Sequence, residues 1–352
     1  MTVPIPVEPI FRQGMSLTIG LVGALIAVQI GMPLPWMLGS MLLVMCVATG
    51  GAKLATPVRL RNLVIPVLGV MLGSGFHPGL FSHLGDWITA FVVLPFFVAA
   101  SFAASFTFYR LMGRYDPVTA YFSAAPGGLT DMVIIGTAAG GDERRIALAH
   151  ACRIFIVINL VALFYGLVLG VETGDEARRY VGFADLPLDD YVILIACAVL
   201  GVVIGPRVGL PAPQILGPMI LSGFVHLFGI SETPPPTMAV NAAQVIMGTA
   251  IGARFVGTSP RQVAKDLILG FGSSLCLLSI ALASAWATAS LTSLPIREVF
   301  LAYSPGGIAE MGLLALALGG DIAFIATSHI ARITLVIAAA PIVFSYFRNR
   351  RL

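Results

Sequence analysis

The chain has 352 residues, of which 58% are hydrophobic and 11% charged, with a mean hydropathy of +0.95. Soluble domains carry about 25% charged residues, so this composition predicts an integral membrane protein and leaves no stretch for a separate soluble domain. The net charge of +3 comes from 20 Lys and Arg scattered over short loops, without the basic patch that nucleic-acid binding requires.

The first 15 residues, MTVPIPVEPIFRQGM, read as a tail or a surface helix. Arg12 comes too late for a signal peptide, and no small-residue cleavage site follows. Six apolar segments come next, at about 16–31, 33–50, 63–79, 86–112, 117–140 and 144–170. Several reach the roughly 20 residues needed to cross a bilayer. An acidic linker (171–189) precedes six more, at about 190–206, 211–228, 239–256, 264–290, 296–319 and 322–346, and a basic tail (347–352) ends the chain.

The two sets match in register. GMPLPWMLGSMLL (31–43) aligns with GLPAPQILGPMIL (209–221), and LGVMLGSGF (68–76) with MGTAIGARF (247–255). GGDERRIALAHACR (140–153) aligns with GGDIAFIATSHIAR (319–332). The chain therefore reads as two membrane repeats, 16–170 and 190–346, a pattern typical of secondary transporters.

The fifth segment of each copy carries an interruption: SAAPGGLTDM (123–132) and YSPGGIAEM (303–311). It either crosses as a broken helix or enters and returns as a hairpin. Lys and Arg favour the cytoplasmic side. With returning hairpins, Arg144, Arg145, Arg207, Arg254, Arg261 and Lys265 fall inside with most other loop cations, leaving Arg178, Arg179 and Arg297 outside. With crossing segments those six move out and the three move in. The sequence thus predicts an all-α polytopic membrane protein with two repeats in inverted topology. It would have about ten crossing helices, two re-entrant or broken Pro-Gly-Gly segments, an extracytoplasmic linker and cytoplasmic termini.

Unpaired backbone at membrane depth costs several kcal/mol per group unless protein or a water-filled cavity surrounds it. A half-helix of about ten residues spans roughly 15 Å and reaches the bilayer midplane, so inverted hairpins would bring their tips together. The half-helices starting at Gly128 and Gly307 are expected to offer N–H groups and a positive dipole end to an anion. Those ending near Ser123 and Ser304 are expected to offer carbonyls to Na⁺ or a proton-bearing donor. Pro126, Gly127, Pro305 and Gly306 make the breaks and let a ligand approach the backbone, and Thr130 adds a hydroxyl. Tight helix packing is the competing reading of the glycines.

Intramembrane acids suggest function, which singles out Asp131 and Glu310. Asp142 and Asp321 read as helix caps. His150 with Arg153, and His329 with Arg332, are spaced to share one helix face. Each Arg either neutralises Asp131 or Glu310, or binds a substrate anion while His or a carboxylate carries a proton. Arg254 reads as snorkelling to the interface. The four cysteines (Cys46, Cys152, Cys197, Cys276) read as buried, unpaired small hydrophobes.

In APGGLTDM, SPGGIAEM and the two GGD…HxxR runs the chain resembles the membrane AbrB family, built from a duplicated hydrophobic domain. The resemblance covers about 16–346 and is distinct from the soluble transition-state regulator of the same name. Family members are often labelled ammonia monooxygenases or regulators of gene expression, and the resemblance implies those roles as alternatives. The residues support neither. The five His (His77, His83, His150, His226, His329) lack the close spacing of a copper site, and no DNA-binding element is present. The residues favour a secondary transporter in which one bundle moves against the other. It would carry a small polar or anionic metabolite coupled to H⁺ or Na⁺, with no other cofactor. The expected partners are membrane lipid, the small-molecule substrate and a second copy of the chain, with no nucleic acid. The expected location is the inner (plasma) membrane.

Overall fold

The computed structural model describes residues 7–77, 84–168, 180–210, 212–317 and 320–349. Linker residues 171–179 and the tail from 350 lie outside them. Among the described residues all regular structure is helical. The first part of the chain forms α1 (Val7–Gln29), α2 (Pro35–Thr49), α3 (Val58–Gly73), α4 (Leu84–Leu111), α5 (Pro117–Ala124), α6 (Leu129–Ala138) and α7 (Glu143–Leu163). The second forms α8 (Leu188–Arg207), α9 (Pro213–Leu227), α10 (Thr237–Gly252), α11 (Pro260–Leu291), α12 (Ile296–Tyr303), α13 (Ile308–Ala317) and α14 (Ile322–Asn349). Residues 7–15, expected as part of a tail, are the first turns of α1.

Equivalent helices begin for equivalent reasons. Pro35 and Pro213 open α2 and α9 at a position where the missing N–H costs nothing. The residues before them, Leu34 and Ala212, both adopt φ 47°, a left-handed conformation costly for a residue with a Cβ. The same strained turn is thus built twice. Helix starts at 58, 117, 129 and 143 recur 179 residues later at 237, 296, 308 and 322.

Compactness does not follow the sequence copies. The chain forms two compact units, one of residues 1–77 and 162–263, the other of 78–161 and 264–352. The first takes α1–α3 from one copy and α8–α10 from the other. The second takes α4–α6, most of α7, nearly all of α11, and α12–α14.

In the first unit, glycines let backbones touch. A Cβ on Gly201 of α8 would lie 2.5 Å from Gly217 C in α9, and one on Gly39 of α2 would lie 2.5 Å from Ala27 of α1. α3 lies on α9, with Gly69 against Ile215 O, and α10 lies on α2, with Gly252 against Met41 O. Small residues at such crossings gain dispersion contact that lipid cannot match. In the second unit Tyr121 of α5 donates to Ala340 O of α14 (2.8 Å). Tyr303 of α12 donates to Ala90 O of α4 (2.7 Å) and stacks on Phe97 at 5.1 Å.

Among the described residues, six helices are long and apolar enough to cross a membrane: α1, α4, α7, α8, α11 and α14. That fits a multi-pass membrane protein. The expectation of ten such helices is not met by length alone. α2, α3, α9 and α10 have 15 or 16 residues, about 24 Å at most against a hydrocarbon core of about 30 Å. They are the inner helices of the first unit, largely buried by their neighbours. Of the cysteines, Cys152 and Cys197 are buried, Cys276 is half-buried, and Cys46 is exposed, contrary to the reading of all four as buried.

Candidate functional site

Both broken segments return to the end at which they start. The Asp142 N–H donates to Thr119 Oγ1 (2.9 Å), tying the residue before α7 to the first turn of α5. In the second copy a Cβ on Gly320 would lie 3.4 Å from Glu298 Cγ, in the first turn of α12. α5–α6 and α12–α13 are therefore hairpins with arms of eight and ten residues. Sequence reading passed over Thr119 and Glu298. Their signal was present, because they are polar residues at the same repeat position in apolar surroundings.

Local chemistry sets the hairpins. Asp116 caps α5, accepting from the N–H groups of Val118 and Thr119 at 3.0 Å each. Partial burial works against its charge, but hydrogen bonds from Thr119 and Val118 outweigh it and hold the carboxyl below its usual range. Asp142 and Asp321 are caps, as expected, accepting from Arg145 N–H (3.0 Å) and Phe324 N–H (2.9 Å). At the tips, Pro126 and Pro305 force the preceding residue into extended backbone: Ala125 has φ −57°, ψ 122° and Ser304 φ −56°, ψ 130°.

The carbonyls freed at the ends of α5 and α12 are not open to a cation. His150 Nε2–H donates to Phe122 O (2.8 Å), and Arg153 Nη1 donates to Ser123 O (3.4 Å) and Ala125 O (3.2 Å). Arg153 Nη2 donates to His150 Nδ1 (2.8 Å). The second copy repeats this. His329 Nε2–H donates to Leu301 O (3.1 Å), and Arg332 Nη1 donates to Tyr303 O (3.2 Å) and Ser304 O (2.6 Å). Arg332 Nη2 donates to Gly306 O (3.1 Å) and His329 Nδ1 (2.9 Å). Each guanidinium thus sits at the negative end of a half-helix. Each imidazole is fixed as the neutral tautomer protonated at Nε2, since Nδ1 must accept from Arg. All four side chains are at most 3% exposed. The two guanidinium groups are near enough for their charges to interact.

The pairing of Arg153 with Asp131, and of Arg332 with Glu310, does not form. Asp131 is exposed and Glu310 is buried, and each lies three residues past its Gly-Gly. Each acid curls back over the start of its own helix: a Cβ on Gly128 would meet Asp131 Oδ2, and one on Gly307 would meet Glu310 Oε2. An acid there stabilises the positive helix end, so neither N-terminus is simply open to an anion. The first tip glycines are packed as well. A Cβ on Gly127 would lie 2.9 Å from Val336 Cγ1, and one on Gly306 2.7 Å from Met311 Cε. Pro126 and Pro305 are buried, Ser304 Oγ donates to Phe300 O (2.7 Å), and Thr130 lies within α6. Among the described residues no three His, Cys, Asp or Glu come together as a metal-binding group.

These features define an all-helical protein, rich in helices apolar enough to cross a membrane, with twin hairpins, each clamped by a buried His–Arg pair. The chain belongs to the AbrB family: the family model described as "Transition state regulatory protein AbrB" matches residues 36–348. It is 26% identical to "Uncharacterized protein YhjN" of Bacillus subtilis (strain 168), covering 95% of this chain and 92% of that protein. It is 21% identical to "Putative regulator AbrB" of Escherichia coli (strain K12), covering 95% of each.

Proposed function

We propose that the protein is a secondary transporter of a small anionic metabolite, coupled to H⁺ or Na⁺, with the hairpin tips as its binding region. The observation that carries this reading is the pair of fully buried guanidinium groups at hairpin tips, neither paired with a carboxylate. Buried intramembrane charge is expensive and by default serves a pathway. An approximate charge count suggests the coupling. In the first hairpin Arg153 contributes about +1, the end of α5 about −0.5, the start of α6 about +0.5 and ionised Asp131 about −1. The sum is near zero. A proton or Na⁺ on Asp131 raises it to about +1, which an anion then balances. Anion and cation would therefore bind together, as cotransport requires.

The hairpins also favour the inverted arrangement. A re-entrant fifth segment leaves five crossings per copy, and an odd number turns the second copy over in the membrane. Both termini would then lie in the cytoplasm of an inner-membrane protein.

The test is uptake of labelled acetate, lactate, succinate and glutamate into proteoliposomes under an inward H⁺ or Na⁺ gradient. Accumulation above protein-free vesicles that collapses with the gradient supports the reading. No accumulation of any of the four refutes it. A second reading comes from the name of the Escherichia coli relative: regulation in response to a ligand. It predicts saturable binding with no flux.

A further inference from the structure

The two hairpins match in backbone but differ in what they leave unsatisfied. In the second, Arg332 spends all four Nη hydrogens, on Tyr303 O, Ser304 O, Gly306 O and His329 Nδ1, and only its Nε–H is without a partner, as in Arg153. Ser304 Oγ is spent on Phe300 O, and Glu310 is 6% exposed. In the first, Arg153 makes no bond to the Gly127 carbonyl, the counterpart of Gly306, so one Nη2 hydrogen remains over beside the unpartnered Nε–H. Ser123, which aligns with Ala302, is 0% exposed and its Oγ has no partner. A buried polar atom without a partner is rare in native proteins and calls for a water, an ion or a ligand. Here a hydroxyl and two guanidinium hydrogens are unspent at the same half-helix end, since Arg153 binds the carbonyl of Ser123 itself. The acid nearby, Asp131, is exposed where Glu310 is enclosed.

We infer that the first hairpin alone holds the ligand, the carboxylate group of a small organic acid, and that the second, with every Nη hydrogen and the Ser304 hydroxyl spent, is its structural counterpart. Two N–H groups of one guanidinium are the usual partners of a carboxylate. Ser123 Oγ supplies a third donor, and α6 is the arm through which the site is reached. This rests on the transporter reading for the meaning of binding, but not for its location.

The experiment measures binding and flux separately on the full-length protein. Thermal shifts of purified protein are recorded against potassium acetate, lactate, succinate and glutamate, with and without Na⁺. The variants are Ser123→Ala, Arg153→Lys, Ser304→Ala and Arg332→Lys, and proteoliposome uptake is run in parallel. Ser123→Ala is the decisive variant because alanine already occupies that place in the second hairpin, so it should fold. The expected result is that at least one carboxylate stabilises the protein and that Ser123→Ala weakens its apparent Kd about tenfold, the loss of one hydrogen bond to a charged group. Arg153→Lys weakens it further, and Ser304→Ala leaves it in place. No shift with any of the four salts, equal losses from Ser123→Ala and Ser304→Ala, or a loss confined to Arg332→Lys would each overturn the assignment. Binding that follows Ser123 without uptake would refute transport and leave the site standing. Uptake indifferent to Ser123 and Arg153 would do the reverse.

Discussion

Arg332→Leu tests whether the guanidinium holds the second hairpin together. The substitution removes the donor to four acceptors: Tyr303 O, Ser304 O, Gly306 O and His329 Nδ1. Each buried acceptor left bare costs about 1–3 kcal/mol. Against this, the leucine no longer carries a charge that must be kept out of water, a relief of several kcal/mol. Ser304 O keeps the Gly306 N–H (2.8 Å), but Tyr303 O, Gly306 O and His329 Nδ1 lose the guanidinium, so the losses should win, leaving a net destabilisation of about 3–5 kcal/mol, the usual cost of removing one partner from a buried charged cluster. At about 2–4 °C per kcal/mol, thermal unfolding followed by tryptophan fluorescence should show Tm falling by roughly 10 °C. Arg332→Lys has three hydrogens for four acceptors and should lose less, about 1–2 kcal/mol. Arg153→Leu likewise strands three acceptors, Ser123 O, Ala125 O and His150 Nδ1, and should cost about as much as Arg332→Leu. An unchanged Tm in Arg332→Leu, or equal losses for Leu and Lys, would show that the guanidinium does not cap the half-helix.

Asp116→Ala removes the cap of α5 and should cost about 1 kcal/mol. Because the folded-state carboxyl is held below its usual range, that contribution is full above about pH 4 and fades as pH falls through the folded value. The Tm gap between wild type and variant should therefore be constant from pH 5 to 8 and close in stronger acid. Gly201→Ala drives a methyl into the backbone of Gly217 and Pro218, so α8 must separate from α9. A Tm loss equivalent to about 1–3 kcal/mol is expected, and a silent substitution would contradict the crossing. Single cysteines at Met112 and Arg144, in a background without the native four, should react with an impermeant thiol reagent from the same side of the membrane, since the hairpin between them returns. Labelling from opposite sides would mean that α5 and α6 cross.

What could be read in the sequence was whatever the chain writes twice. The Pro-Gly-Gly breaks announce half-helices because proline and glycine act locally, and the aspartates after Gly-Gly announce caps for the same reason. The 179-residue offset between His150 and His329, and between Arg153 and Arg332, announces that one arrangement is built twice. The partners of those residues were not legible. Spacing puts His and Arg on one face of α7, but only packing decides whether that face meets the acid three residues past the break or the carbonyls before it. The carbonyls win because a helix end eight residues long presents several acceptors to one planar fork, while Asp131 is already engaged with the start of α6 across Gly128. The compact units were illegible for a related reason. Repeats mark descent along the chain, whereas packing follows apolar faces, and the faces of α2 and α3 fit α10 and α9 of the other copy. The same logic separates the two tips. A repeat predicts equal hairpins, yet single differences such as Ser123 against Ala302 decide which tip keeps hydrogen-bonding capacity for something else.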